Sequence, residues 1–341
     1  MRFCFEASVQ EETNIKYSLG RIVANKSRMV AMRDTPIPIT LEIRYASKTI
    51  TGLLRHPRAF ARVFGGAHSI DDFVQETYAK NPIALKRTHG FEIYLNPNDM
   101  GISPSIAVLG WYELRTTELF VEILRRGSTV VDVGANVGFF TFLAAKIVGP
   151  KGRVVSFEPE PTSFSLLARS LSRNNFSNVM LIPKSLSDIE GERTLYLSAT
   201  DHKGMHSIVY DSGGPNISVP SVKLDTEAAR LGLDHIDLLK IDAEGAEPEI
   251  LAGAVELLSE RRVSNLIFEW EHAENWLENE RLVRRLFSTY DAFLVPRSLP
   301  FLPIKKVKDN LALADMFQNR FGTNLYLRLR NQKRMLRNGV E

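Results

Sequence analysis

From residue 90 onward the apolar positions keep two alternating rhythms. Phe91, Ile93 and Leu95 recur every second residue, as in a half-buried strand, and residues 96–99 (NPND) read as a turn. WYELRTTELFVEILRRG then places Leu119, Ile123 and their neighbours at helical spacing ahead of Gly127. TVVDVG and RVVSFEP are short β-branched runs that predict two strands, with the helix FFTFLAAKIVG between them. Phe164, Leu167, Ala168 and Leu171 then share one helical face. NVMLIPKSLSD, IDLLKIDAEG and VSNLIFEWE predict the third, fourth and fifth strands, and Pro248 suits the first turn of the helix after the fourth. The helix ERLVRRLFSTY and the strands AFLVP and NLYLRLR close the series.

Strands alternating with helices predict an α/β fold, a doubly wound, mainly parallel sheet of seven strands. Residues 190–225 break the rhythm: ERTLYLS and ISVPSVKLDT read as an antiparallel insert around the turn-rich loop DHKGMHSIVYDSGGPN. Upstream, Pro36, Pro38, Pro57, Gly65 and Gly66 punctuate short amphipathic pieces. We therefore divide the chain into an N-terminal extension of helical character (1–89), a main domain (90–330) and a basic tail (331–341).

Composition narrows the function classes. The 341 residues carry 43 basic and 40 acidic side chains, a balance that gives no reason to expect a nucleic-acid partner. The single cysteine, Cys4, excludes an internal disulfide and a thiolate metal site, which suits a reducing compartment. Lys146 interrupts the best apolar run, so no membrane span is expected, and the opening MRFCFEASVQEET lacks the apolar stretch of a leader. The expected location is cytoplasmic.

In open α/β sheets, ligands bind beyond the carboxyl ends of the strands. Asp132, Glu158, Asp188, Asp242 and Glu269 lie at or just past five predicted strand ends, so five carboxylates are expected to rim one pocket. The turn VVDVGANVGFFT has Gly134 and Gly138, but Asn136 and Phe139 stand where a dinucleotide fingerprint needs its other two glycines. No phosphate-binding GKS or GKT is present. A ligand without a pyrophosphate fits that turn, and the neighbouring carboxylate favours a cation. Glu158, at the end of the second strand, is placed to accept two ribose hydroxyls. S-adenosylmethionine meets all three conditions.

Lys240 and Asp242 flank Ile241 and so share one face of an apolar strand; they neutralise each other or face the reacting group. Asp242 is the first candidate for a general base, Glu244 the second, and Lys240 the group that orients the base or the acceptor oxygen. Metal assistance through Asp242, Glu269 and His272 is a rival, and His202 or His206 in the insert could touch the acceptor.

VVDVGANVGFFT, FEPEP, SLSD, VKLDT and LLKIDAEGAEPEILAGA, in that order, resemble the FkbM-type methyltransferases, a class I S-adenosylmethionine-dependent family. The resemblance implies that Asp132, Gly134, Asn136 and Gly138 hold the methionine part, Glu158 the ribose, and Ser187 with Asp188 the adenine side. Glu113, in WYE, matches a family position near the cofactor. It further implies O-methylation of a hydroxyl on a sugar, glycan or small natural product. An NAD-binding oxidoreductase and a non-catalytic S-adenosylmethionine-binding module are the alternatives; the missing middle glycine argues against the first, and the intact Asp132, Glu158 and Asp242 against the second.

Overall fold

The computed structural model describes residues 70–202, 204–270, 280–296, 304–307 and 323–330. The N-terminal extension up to residue 69, His272 and the basic tail lie outside the described residues.

Among the described residues helix α1 (Ile70–Lys80) comes first, followed by the hairpin β1 (Leu85–Thr88) and β2 (Phe91–Tyr94), paired antiparallel through the turn at His89 and Gly90. The boundary drawn at residue 90 therefore falls inside a hairpin. α2 (Ile102–Leu109) starts at a turn whose Asp99 carboxylate accepts the N–H groups of Gly101, Ile102 and Ser103 at 2.8, 3.1 and 2.7 Å. α3 (Leu114–Ile123) leads into β3 (Thr129–Val133), α4 (Phe139–Val148), β4 (Arg153–Phe157), α5 (Pro161–Asn174) and β5 (Val179–Ile182). α4 is mainly apolar and is buried except at Lys146, because the sheet lies beneath it and Phe91 and Phe120 lie against it. Phe142 meets Phe91 at 5.8 Å, and Phe140 meets Phe120 at 4.8 Å between centroids.

The third predicted strand is divided. Pro183 has no N–H to continue the ladder, so β5 ends at Ile182, and β6 (Ser185–Leu186) leaves to join the insert. There β7 (Gly191–Tyr196) pairs antiparallel with β8 (Asn216–Val222), and β6 runs parallel to β8. VKLDT does not extend that strand, because α6 (Leu224–Leu231) begins within it. The Asp225 carboxylate accepts the Glu256 and Leu257 N–H groups at 2.9 and 3.0 Å, so this aspartate caps a later helix instead of pairing in a strand.

β9 (Leu238–Ile241), α7 (Glu247–Ala252), α8 (Val255–Ser259), β10 (Asn265–Trp270), α9 (Glu280–Thr289), β11 (Tyr290–Val295), β12 (Lys305–Lys306) and β13 (Thr323–Leu329) complete the described elements. The large sheet runs β12-β11-β13-β10-β9-β3-β4-β5. Five neighbouring strands, β10 to β5 in that order, are parallel, and β13 lies antiparallel between β10 and β11. The seven expected strands are present, and the two-residue β12 adds an edge. Strand order reverses between β3 and β9: the chain moves outward through β4 and β5, then returns to the other side of β3. That reversal opens a crevice at the carboxyl ends.

Candidate active site

Register determines which side chains reach the crevice. Val133 is level with Phe157 and with Ile241, and Ile241 is level with Phe268. The next residue on each strand stands at the rim: Gly134, Glu158, Asp242 and Glu269. All four line one cavity of about 360 Å³.

The glycine turn approaches the end of β9 very closely. At Gly134, with φ +71°, a Cβ would stand 1.8 Å from the Asp242 carbonyl oxygen, so no larger residue fits without moving the rim. The Gly134 and Ala135 N–H groups both donate to the Phe157 carbonyl at 3.0 Å, locking the turn to β4. Asn136, also at positive φ, donates its N–H to Glu158 Oε2 at 2.7 Å, while Glu158 Oε1 accepts the Glu160 N–H at 2.8 Å. Two backbone donors thus hold the Glu158 carboxyl at the rim, and burial pushes its pKa up to about 7. Gly138 has a different surrounding: Leu167 and Phe142 lie 2.3 and 2.7 Å from where its Cβ would be, and it does not line the cavity. Its small size serves the packing of α4 on α5.

One pleat below the rim, Asp132 is level with Ser156 and with Lys240. Asp132 is fully buried; its Oδ2 accepts the Thr141 hydroxyl at 2.6 Å, and its Oδ1 lies 3.8 Å from Lys240 Nζ. Lys240 is also buried, donates to Asp242 Oδ2 at 3.0 Å, and sits 5.0 Å from the centre of the Phe140 ring. Burial acts to lower the lysine pKa, but Asp242 and Asp132 outweigh it and raise the value, so the ammonium stays charged. Neither Asp132 nor Lys240 lines the cavity. The ion pair and the rim carboxylate expected of Lys240 and Asp242 are thus one arrangement, with the lysine underneath and the aspartate at the wall.

Glu244 lines the cavity beside Asp242 at φ +51°, and its carbonyl accepts the Ser207 hydroxyl of the insert at 2.8 Å. The Ala243 N–H donates to the buried Glu247 Oε1 at 2.8 Å, which pins the turn carrying both carboxylates. Asp242, Glu244 and Glu269 each present an oxygen within 4.8 Å of the others, a spacing able to hold a divalent ion. His272, which the sequence reading grouped with Asp242 and Glu269, lies outside the described residues.

Ser187 and Asp188 stand off the cavity. Ser187 is buried and donates its hydroxyl to Asp188 Oδ1 and Glu249 Oε2, each at 3.1 Å. Because β5 stops before Pro183, Lys184, Ser185 and Leu186 line the cavity there instead. Glu113 is buried behind the rim and accepts from Asn324 Nδ2 at 2.7 Å, while the adjacent Tyr112 lines the cavity. His202 and His206 also line it; His206 Nδ1 accepts the Ser198 N–H at 2.9 Å, which leaves the ring proton on Nε2. Val74 and Gln75 of α1, Ile102 and Met205 complete the far wall and were not foreseen. Nothing in their local pattern separates them from ordinary helix and loop positions.

Residues 132–298 match the methyltransferase FkbM domain. That stretch is an FkbM-type methyltransferase domain. Its cofactor is S-adenosylmethionine. The chain is 32% identical over 179 residues to "Methyltransferase sdnD" of Sordaria araneosa, a match covering 42% of this chain and 66% of that protein. It is 31% identical over 159 residues to "31-O-demethyl-FK506 methyltransferase FkbM" of Streptomyces tacrolimicus, covering 38% and 60%. It is 26% identical over 168 residues to "2-O-methyltransferase NoeI" of Sinorhizobium fredii, covering 44% and 67%. The matches thus span 60–67% of those relatives' length. The residues present suit the cofactor: a turn with no room for a Cβ, a carboxyl held by two backbone donors, and acidic groups facing where a cation would lie. Among the described residues no helix is long and apolar enough to cross a membrane.

Proposed function

We propose that this methyltransferase transfers the methyl group to a hydroxyl of a sugar, glycan or small natural product. The observation that carries this reading is that Asp242 and Glu244 line the same cavity as the Gly134 turn and Glu158. When bound, S-adenosylmethionine supplies a methyl group on a cationic sulfur, open to in-line displacement by the acceptor oxygen. Glu158 accepts the ribose hydroxyls, and the Gly134 turn gives the methionine part close approach to backbone. Asp242, held from below by Lys240, takes the acceptor's hydroxyl proton on its carboxylate, with Glu244 the second candidate for that proton.

Positioning contributes more than basicity, since alignment of reacting groups is worth about 7–11 kcal/mol whereas a placed base adds about 10²–10⁴-fold in rate. The buried Glu247 carboxyl that holds the 242–244 turn therefore matters alongside the base. The acceptor wall also selects. A phosphate brought within about 4 Å of one rim carboxylate meets repulsion of about 4 kcal/mol at an intermediate dielectric, which favours neutral hydroxyl acceptors over nucleic acids. The relatives named for 31-O- and 2-O-methylation support oxygen as the receiving atom.

The test is a screen of hydroxylated acceptors, sugars first, with methyl-labelled cofactor. Label in an ether-linked methyl group of a sugar or natural product supports the proposal; label only in nucleic acid or on nitrogen refutes it. The spacing of Asp242, Glu244 and Glu269 favours one further reading, in which a divalent ion lowers the pKa of the acceptor hydroxyl. Loss of turnover in chelator, with recovery on adding magnesium or manganese, would select it.

A further inference from the structure

Three features converge on Lys240. The lysine is buried directly beneath Asp242, two residues back on the same face of β9. Asp132 is its level neighbour on β3, with Oδ1 3.8 Å from Nζ. Thr141, from the first turns of α4, donates its hydroxyl to the other oxygen of Asp132 at 2.6 Å and lies 2.9 Å from the Ser156 hydroxyl. Each link has little freedom, because Asp132, Thr141 and Ser156 are each 0% exposed and Lys240 3%. A side chain this enclosed keeps one rotamer, and so does the group it holds.

Asp132 stands back from the cavity. Its side chain lies a pleat below the rim, and the residue is not part of the cavity wall. One of its oxygens is taken by Thr141 and the other faces the lysine.

We propose that Asp132 is a positioning residue for the base rather than a ligand of the cofactor: with Thr141 it fixes Lys240, and Lys240 holds the Asp242 carboxylate at the cavity wall. The chain Thr141–Asp132–Lys240–Asp242 then couples the start of α4 to the residue that receives the proton. A buried lysine that lost Asp132 would keep Asp242 as its one carboxylate ion-pair partner among the described residues. The ammonium that already donates to Asp242 at 3.0 Å would then direct its whole charge at that carboxylate and lower the basicity of the oxygen that must accept the proton.

This inference rests on Asp242 being the base, so the experiment has two independent arms. The first measures cofactor affinity by calorimetry, with S-adenosylmethionine and S-adenosylhomocysteine, for Asp132→Asn, Thr141→Val and, as the positive control, Glu158→Ala. Asp132→Asn and Thr141→Val should stay within about twofold of the wild type, and Glu158→Ala should lose at least about tenfold. A tenfold loss for Asp132→Asn would overturn the proposal, because it would place the carboxylate on the cofactor.

The second arm uses an acceptor found in the screen and compares kcat for Asp132→Asn, Asp242→Asn and the double variant. A residue acting through Asp242 loses its effect once Asp242 is gone. The expected result is about a tenfold or greater fall for Asp132→Asn alone and no further fall in the double variant. Multiplying effects would overturn it. If Asp132→Asn fails to fold, as circular dichroism would show, Thr141→Val carries the same test, since it removes only the hydroxyl that steadies Asp132. Should no hydroxyl acceptor be turned over, the proposed function fails while the calorimetric arm still decides whether Asp132 touches the cofactor.

Discussion

Glu247 tests the electrostatics of the rim most directly. It is 1% exposed, and its Oε1 accepts the Ala243 N–H while its Oε2 is a buried oxygen with no hydrogen-bond donor. Burial raises its pKa from 4.5 to about 7. The folded protein therefore keeps a proton that the unfolded chain gives up. The stability associated with that proton is fully present below about pH 4.5 and is lost as pH rises to about 7. At about 1.4 kcal/mol per unit, the difference comes to about 3 kcal/mol above pH 7. Glu247→Gln preserves the acceptor for Ala243 and removes the charge. Urea unfolding followed by circular dichroism should show the variant equal to wild type near pH 4 and more stable by about 3 kcal/mol near pH 8. An identical difference at both pH values would refute the reasoning, since it would mean that Glu247 does not titrate in this range. Glu247→Ala loses the bond to the turn as well, so it should destabilise at both pH values by about 1–3 kcal/mol.

Glu158→Ala removes a carboxyl held at the rim for hydroxyl recognition and should weaken S-adenosylmethionine binding at least about tenfold by calorimetry, matching a loss of about 1.5–3 kcal/mol for charge-assisted bonds. Gly138→Ala meets Leu167 and Phe142 at a residue with positive φ, so it should lower stability by about 2–4 kcal/mol in denaturant while the folded fraction binds cofactor normally. Gly134→Ala drives a methyl group into the Asp242 carbonyl and should damage both cofactor affinity and turnover, read by calorimetry and by label transfer. Asp242→Asn keeps size and removes basicity; turnover on an identified acceptor should fall about a hundredfold or more with cofactor affinity nearly constant, and wild-type turnover would move the base to Glu244.

The sheet was legible because its strands are short and bounded by turn residues, and because α4 and α5 announce themselves through helical apolar spacing. Rim residues Gly134, Glu158 and Asp242 were legible because each follows directly on a β-branched or apolar run. The far wall was not. Val74 and Gln75 reach the cavity from a helix 60 residues before Gly134, and only the three-dimensional return of α1 to the crevice brings them there. The strand assignments failed where a single residue changed the pairing: Pro183 ends β5, and Asp225 caps α8 instead of extending β8.

The same reasoning explains why five acidic residues at strand ends did not form one rim. A residue inside the last pairing of a strand points into the layer between sheet and helix, whereas the first residue beyond that pairing is held by the backbone but free of the ladder's neighbours. Asp132 precedes the level of Val133, Phe157 and Ile241, so its carboxylate faces Thr141 of α4 and must be matched by Lys240. Glu158 and Asp242 follow that level and face the cavity. Glu269 reaches the same height because Phe268 is level with Ile241. Asp188 follows β6, which belongs to the smaller sheet, and so lies off the crevice altogether. A step of two residues along a strand separates a carboxylate that can take a proton from an acceptor from one that can only hold a neighbour in place, and the same period of two places Lys240 under Asp242.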